Sequence, residues 1–142
     1  MRALLDINVL IALIDASHVH HRIARDWLEA NIDRGWASCP LTQNGFVRII
    51  SQEAYPNRIP LSEAARRLLT ACQTPHHQFW PDQISILDPA KIVLANIHGP
   101  RQITDAYLLA LAIENEGRFV TFDGRIPASL SPRARPENLV QL

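Results

Sequence analysis

The 142-residue sequence predicts an α/β fold, with a short central parallel sheet flanked by helices on both faces. Short apolar runs that fit buried strands alternate along the chain with longer segments that have the three-and-four spacing of amphipathic helices. Two acidic residues, Asp6 and Asp123, directly follow predicted strands, which is where parallel sheets place their ligands. The length fits one compact unit, so we treat residues 1–142 as a single domain with one active centre.

The first half of the chain predicts two strands and four helices. Arg2 to Leu5 is typical of a buried strand, and Trp36 to Ser38 of a second one. A helix starts at Asn8, and apolar residues from Ile23 to Ile32 predict a second helix within 18–32. Two further helices follow each other without a strand between them and form an arm, over 41–50 and 62–71.

The second half of the chain contains the most informative segment. A short strand over 78–80 and a short helix over 90–96 precede the break at Gly99 and Pro100. Thr104 then caps a helix whose residues 106–113 are apolar on nearly every side, as in a buried helix, and Gly117 ends it. Strands over 118–122 and 138–140 complete the prediction, the last at a sheet edge.

Composition excludes several classes of protein. The 14 basic and 14 acidic residues cancel, so the chain lacks the positive balance of proteins that attract nucleic acid over long range. Cys39 and Cys72 have no metal-binding spacing, and we expect both to be small buried residues. The apolar opening, 3–14, is interrupted by Asp6 and Asn8 and is too short to span a bilayer. We therefore expect a cytoplasmic protein with no membrane partner.

Three acidic residues form the candidate site, namely Asp6, Asp105 and Asp123. Each falls at a strand end or a helix start, so the fold can gather them at one rim of the sheet. Converging carboxylates repel one another and are easiest to understand around a divalent cation, for which oxygen ligands favour magnesium or manganese over zinc. Taken singly, Asp105 has a structural explanation as a first-turn acid that favours the helix dipole, and Asp123 has one as a turn residue before Gly124. Asp6 has no such explanation, because an acid in an apolar segment is costly unless it is paired or solvated. Asn8 either orients Asp6 or caps the first helix.

Three segments contain the acidic residues of the candidate site: LLDINVL around Asp6, TDAYLLALA from Thr104 and FVTFD ending at Asp123. These segments resemble the motifs of PIN domains, especially those of VapC-type toxins. Their order and spacing are more specific than any one of them. The resemblance implies a three-layer PIN-like fold and an endoribonuclease in which Asp6, Asp105 and Asp123 bind Mg²⁺ or Mn²⁺, with Asn8 assisting. It also implies an RNA substrate, a cognate VapB-type antitoxin as partner, and a homodimer.

One departure from the family pattern concerns the start of the third helix. Most members carry a further acid there, whereas this chain has LTQNGFVRI, with Gln43 or Asn44 instead. An amide oxygen can still bind a metal or its water, and we assign Gln43 this assisting role, but the missing charge should weaken cation affinity.

Two other function classes remain open. In the first, the chain is a PIN-like module that binds RNA or antitoxin without useful catalysis, because it lacks the fourth carboxylate. Metal-dependent turnover would discriminate this class from the nuclease. In the second, it is a phosphatase or another phosphotransferase on a related sheet, although no Gly-rich phosphate loop is present.

Other conspicuous side chains have ordinary structural explanations. Three histidines at one helix start lack metal-binding spacing, and we expect them to be solvated: His18, His20 and His21. The segment 76–80 holds two histidines and two aromatic residues, which we interpret as core anchors rather than as an RNA-stacking surface. Arginines near the acidic residues fit phosphate contacts and solvated surface charge equally well, namely Arg101, Arg118 and Arg125.

Overall fold

A computed structural model describes all 142 residues and has five parallel strands and five α-helices. The strands lie in the order β3-β2-β1-β4-β5. Their bounds are β1 Ala3–Leu5, β2 Trp36–Ser38, β3 His77–Phe79, β4 Arg118–Thr121 and β5 Leu139–Gln141. The helices are α1 Ile7–Ile14, α2 His21–Asn31, α3 Pro40–Ile50, α4 Leu61–Cys72 and α5 Ile103–Glu114. The predicted α/β class and the parallel sheet are confirmed.

Two hydrophobic clusters cover the two faces of the sheet. Alternate residues of β1 point to opposite faces, so Leu4 belongs to one cluster while Ala3 and Leu5 belong to the other. The first cluster is built on α5, whose residues 106–113 are all buried, as predicted. The second contains buried residues from the other four helices. The central strands are therefore enclosed, which fixes their carboxyl ends as one rim.

Three local predictions were wrong. Residues 90–96 do not form a helix, and only Leu94–Asn96 makes a short 3-10 turn. Thr104 is the second residue of α5 rather than its cap, because the 3-10 turn Pro100–Gln102 leads directly into the helix. The left-handed residue after α5 is Glu116, with φ 55°, whereas a Cβ on Gly117 would lie 2.6 Å from Trp80 Cη2. Gly117 thus permits a close approach instead of ending the helix.

The predicted arm is a pair of helices, α3 and α4, that packs on the face of the sheet covered by the second hydrophobic cluster. Phe46 and Ile50 of α3 and Ala64 and Leu68 of α4 are buried in the second cluster. No helix in the fold combines the length and the apolar composition that crossing a bilayer requires.

Candidate active site

The three predicted acidic residues lie at the carboxyl rim of the sheet. Asp6 follows β1 directly and is the N-cap of α1, and Asp123 lies two residues beyond β4. Asp105 is in the first turn of α5. Since β1 and β4 are neighbours, the rim brings Asp6 and Asp123 together, and after the larger effect of burial the charges of both raise the pKa of Asp105.

Asp6 is buried, with 6% of its surface exposed, and both of its carboxylate oxygens accept hydrogen bonds. Oδ1 accepts from the backbone N–H of Ile7 at 2.7 Å, and Oδ2 accepts from the Thr121 hydroxyl at 2.6 Å. Burial raises the pKa of Asp6, and these hydrogen bonds partly offset that effect. Asp6, and not Asn8, therefore caps α1, and the two hydrogen bonds hold its carboxylate in one orientation.

Asn8 joins α1 to the end of β4. Its amide nitrogen donates to Thr121 Oγ1 at 3.4 Å, and its oxygen accepts from the backbone N–H of Phe122 at 3.4 Å. Thr121 Oγ1 also accepts from the backbone N–H of Asp123 at 3.0 Å. The orienting alternative thus describes Asn8 better than the capping alternative, and it acts through Thr121.

Asp105 is partly buried, and no group in the structure donates a hydrogen bond to its carboxylate. Burial, followed by the charges of Asp6 and Asp123, raises the pKa of Asp105 to about 7, against a smaller opposing effect of Arg125. A carboxylate that is unpaired beside two other carboxylates is stabilised most directly by a cation.

Asp123 is paired with Arg125. Its Oδ1 accepts from the backbone N–H and the Nε of Arg125, at 2.9 and 3.1 Å, and its Oδ2 accepts from Nη2 at 3.2 Å. These hydrogen bonds lower the pKa of Asp123. A small cavity of about 110 Å³ opens here, lined by Asp105, Asp123, Arg125 and, from the turn before α5, Arg101 and Gln102.

The chemistry of this donor set fits Mg²⁺ or Mn²⁺. All of the donors are oxygen atoms, and the carboxylates influence one another electrostatically. No three His, Cys, Asp or Glu side chains approach one another closely enough to enclose an ion in this structure. The Arg125 guanidinium instead supplies positive charge to Asp123.

Gln43, the predicted replacement for the missing acid, is directed elsewhere. Its Nε2 donates to the Ser38 hydroxyl at 3.0 Å, and the side chain lines a groove between α3 and α4 with Leu68 and Cys72. The next residue, Asn44, lines a cavity together with Ile7 and Thr104, the neighbours of Asp6 and Asp105. Of the two amides, Asn44 is the one on the side of the acidic residues.

The remaining candidates divide between core and surface. Trp80 is buried as predicted, whereas Phe79 is 51% exposed at the sheet edge. His21 contacts the backbone oxygen of Ala12 at 2.7 Å, and His20 stacks on Phe122, so these histidines are not simply solvated.

The three predicted arginines differ in location, and the two cysteines differ in burial. Arg118 is buried against Trp27 and donates to Asn31, which removes it from any phosphate site, whereas Arg101 and Arg125 lie at the rim cavity. Cys39 is buried and Cys72 is half-buried, and both are free.

Sequence reasoning missed Thr121, which contacts Asp6, Asn8 and the backbone of Asp123. Its position at the end of β4, one residue before Phe122 and two before Asp123, was the available signal. A hydroxyl on a buried strand needs a hydrogen-bond partner, and the acidic rim supplies one.

Comparison with known proteins bears directly on this rim. The family model of the PIN domain matches residues 3–128, which includes all three acidic residues. The chain belongs to the PIN-domain family. This PIN domain is also 52% identical over 142 residues to Ribonuclease VapC44 of Mycobacterium tuberculosis, with all of both chains covered. The predicted resemblance is thereby confirmed.

Other relatives extend the comparison. The PIN domain is 45% identical to Ribonuclease VapC29 of the same organism over 87% of this chain and 86% of the relative. It is 40% identical to Ribonuclease VapC38, over 99% and 96% of the two chains. A crystal structure of VapBC2 from Rickettsia felis, bound to a DNA fragment from its promoter, matches with a TM-score of 0.59. That match covers 100% of this chain and 98% of the other at 14% identity, so it supports the fold alone.

Proposed function

We propose that this PIN domain is an endoribonuclease and the toxin of a toxin-antitoxin pair, which hydrolyses phosphodiester bonds in RNA with Mg²⁺ or Mn²⁺. The observation that carries the proposal is the unpaired, partly buried carboxylate of Asp105 beside Asp6 and Asp123, on a chain whose full-length relative is named a ribonuclease. We further propose a VapB-type antitoxin as partner, a homodimer, and action in the cytoplasm, where such a nuclease meets RNA.

Asp6, Asp105 and Asp123 would hold the cation. When bound, a divalent cation lowers the pKa of water toward neutrality and stabilises negative charge on phosphate oxygens. Thr121 holds one oxygen of Asp6 through its hydroxyl, while the Ile7 N–H holds the other, so this carboxylate is oriented before any ligand arrives.

Arg125 has a second function in this proposal. Its side chain is 84% exposed and its bonds to Asp123 are at the surface, where ion pairs are weak. It can therefore leave Asp123 to the cation and contact the phosphate group of the RNA, for which arginine is well suited. No side-chain nucleophile is required.

The test is cleavage of a structured RNA pool by the purified chain, free of antitoxin, with Mg²⁺, with Mn²⁺ or with chelator. Asp6→Asn and Asp105→Asn should abolish cation-dependent cleavage, while Asp33→Asn, a surface control before β2, should cleave as the wild type does. If the folded wild type binds RNA or antitoxin but never cleaves RNA, the chain is instead a binding module.

A further inference from the structure

A second cavity opens beside the acidic rim, on the opposite side from Arg125. It has a volume of about 310 Å³ and is lined in part by Asn44 and Arg48 of α3, Asp82 beyond β3, and Thr104 of α5. Ile7 also lines it, and Gly45 allows Ile7 to pack against α3, because a Cβ at Gly45 would lie 2.2 Å from Ile7 Cδ1.

The strand order places this cavity relative to the three acidic residues. Asp82 follows β3 and Arg48 belongs to the helix after β2, whereas Asp6 follows β1 and Asp123 follows β4. Neighbouring strands are about 4.8 Å apart, so the cavity begins roughly one to two strand spacings from Asp6. Its wall residues Ile7 and Thr104 adjoin Asp6 and Asp105 in the chain, so the cavity opens next to the acidic rim.

The cavity carries two opposite charges, Arg48 and Asp82, that do not pair with each other. Arg48 makes no ion pair and its guanidinium takes part in no hydrogen bond within the chain, and Asp82 makes no ion pair either. The Asp82 carboxylate faces the buried hydroxyl of Tyr107, and burial, followed by the charge and hydrogen bonding of Asp82, raises the pKa of Tyr107 to about 12. Burial also raises the pKa of the Cys39 thiol, with a smaller contribution from Asp82. The remaining lone pairs of the carboxylate are open to a ligand. The cavity thus offers a cationic donor and an anionic acceptor to one ligand.

A nucleotide has the matching chemistry. Its phosphate accepts hydrogen bonds from arginine, and the amino group of guanine, adenine or cytosine donates to a carboxylate, whereas uracil has no amino group. We propose that this cavity binds the nucleotide next to the scissile phosphate, with Arg48 contacting phosphate and Asp82 accepting from the amino group of the base. The role of the cavity in cleavage rests on the proposed nuclease function, but nucleotide binding does not.

The first test measures binding of the four 5′-mononucleotides to the full chain in chelator, from the shifts of backbone amide NMR signals. GMP, AMP and CMP should shift the signals of Asn44, Gly45 and Thr104, and UMP should bind more weakly by about threefold or more. Arg48→Gln should weaken binding of all four nucleotides by about three- to tenfold, and Asp82→Ala should remove the discrimination against UMP.

The matched controls lie directly before β2, at the amino ends of the strands, whereas the cavity lies at their carboxyl ends. Asp33→Ala and Arg34→Gln remove the same charges from exposed positions, and both variants should bind as the wild type does. Thermal unfolding checks that each variant is folded. The proposal fails if the nucleotides shift signals only outside the cavity, or if Arg48→Gln and Asp82→Ala bind like their controls.

A second test separates this proposal from the nuclease itself. Cleavage positions in an RNA pool are mapped by sequencing for the wild type, Asp82→Ala and Asp6→Asn. Asp82→Ala should still cleave but accept uridine beside the cut, whereas Asp6→Asn should not cleave. Nucleotide binding in the cavity without cleavage by the wild type would overturn the nuclease alone, and an unchanged cleavage map for Asp82→Ala would overturn the cavity's role alone.

Discussion

Replacing Thr121 with valine removes the hydroxyl that connects the acidic rim and leaves the side-chain shape nearly unchanged. Thr121 is fully buried, and its hydroxyl donates to Asp6 Oδ2 at 2.6 Å. A hydrogen bond to a charged group contributes about 1.5–3 kcal/mol to stability. The other two contacts of Thr121 Oγ1 are longer, at 3.0 and 3.4 Å, and come from Asp123 and Asn8. Water can replace the contact to Asp123, whose side chain is 27% exposed.

We therefore expect Thr121→Val to lower the free energy of unfolding by about 2–3 kcal/mol. Urea unfolding of the chain in chelator, followed by circular dichroism, should show this as a lower midpoint with an unchanged slope. Thr121→Ser retains the hydroxyl and should recover most of the loss. A titration with Mg²⁺ should also require more cation for Thr121→Val, because Asp6 is no longer held in one direction.

Thr70→Val is the matched control. The Thr70 hydroxyl is exposed and bonds only to the backbone oxygen of Arg66, one turn earlier in α4. Its removal should change stability by less than about 0.5 kcal/mol. A Thr121→Val variant that unfolds within that same margin of the wild type would refute the assigned role of Thr121.

Three further changes test other parts of the structure. Burial, then neighbouring charges, raise the pKa of Asp105 to about 7, so its ionisation costs stability as pH rises from about 4 through 7. In chelator, Asp105→Asn should therefore raise the free energy of unfolding by about 1–2 kcal/mol at pH 8, a value reduced to allow for the partial exposure of the side chain. At pH 4 it should leave the free energy of unfolding unchanged. An equal increase at both pH values in urea unfolding would contradict this explanation. Burial raises the pKa of Asp15, but hydrogen bonds, foremost the one from Tyr55, outweigh burial and lower the pKa overall. These hydrogen bonds therefore stabilise the folded chain fully at neutral pH, and the stabilisation is lost as pH falls below about 4. Tyr55→Phe should cost about 1.5–3 kcal/mol at pH 7 and less at pH 3, and a pH-independent cost in urea unfolding would exclude the charge of Asp15 as the cause. Gly117→Ala should cost about 1–3 kcal/mol in thermal unfolding, because its Cβ would lie 2.6 Å from Trp80 Cη2 and 2.7 Å from the backbone oxygen of Arg2. An unchanged midpoint would show that both neighbours move aside at little cost.

The strands and the positions of the three acidic residues could be predicted because both depend on local sequence. A short apolar run such as that of β1, followed by an acid, defines a strand and its end without knowledge of the rest of the fold. The segment 90–96 could not be predicted in the same way. Its apolar residues match helical spacing, but Ile92 is buried against the face of the sheet that carries α5, and the backbone there is irregular. Tertiary burial outweighs local helix propensity in that segment.

The direction of the side chains on α3 could not be predicted from local sequence either. Consecutive helical residues point about 100° apart, so choosing between Gln43 and Asn44 requires the position of α3 relative to the sheet. Gln43 donates to Ser38 at the end of β2, whereas Asn44, the next residue of the helix, lines the cavity beside the acidic rim. The pair Ser38 and Gln43 is separated by the bend between β2 and α3, which periodicity does not encode.

The proposed function requires a chain with no net charge to bind RNA, and the arrangement of charge along the rim fits that requirement. Arg125 lies on the β4 side of the acidic residues and Arg48 on the β2 side, so positive groups flank a negative centre. In the proposed reaction, an RNA strand that crosses the rim would meet an arginine on each side of the scissile bond, and the acidic centre would attract phosphate only with a cation present. Binding at this rim should therefore depend on local contacts and on the cation rather than on a long-range field, since the charges of the whole chain cancel.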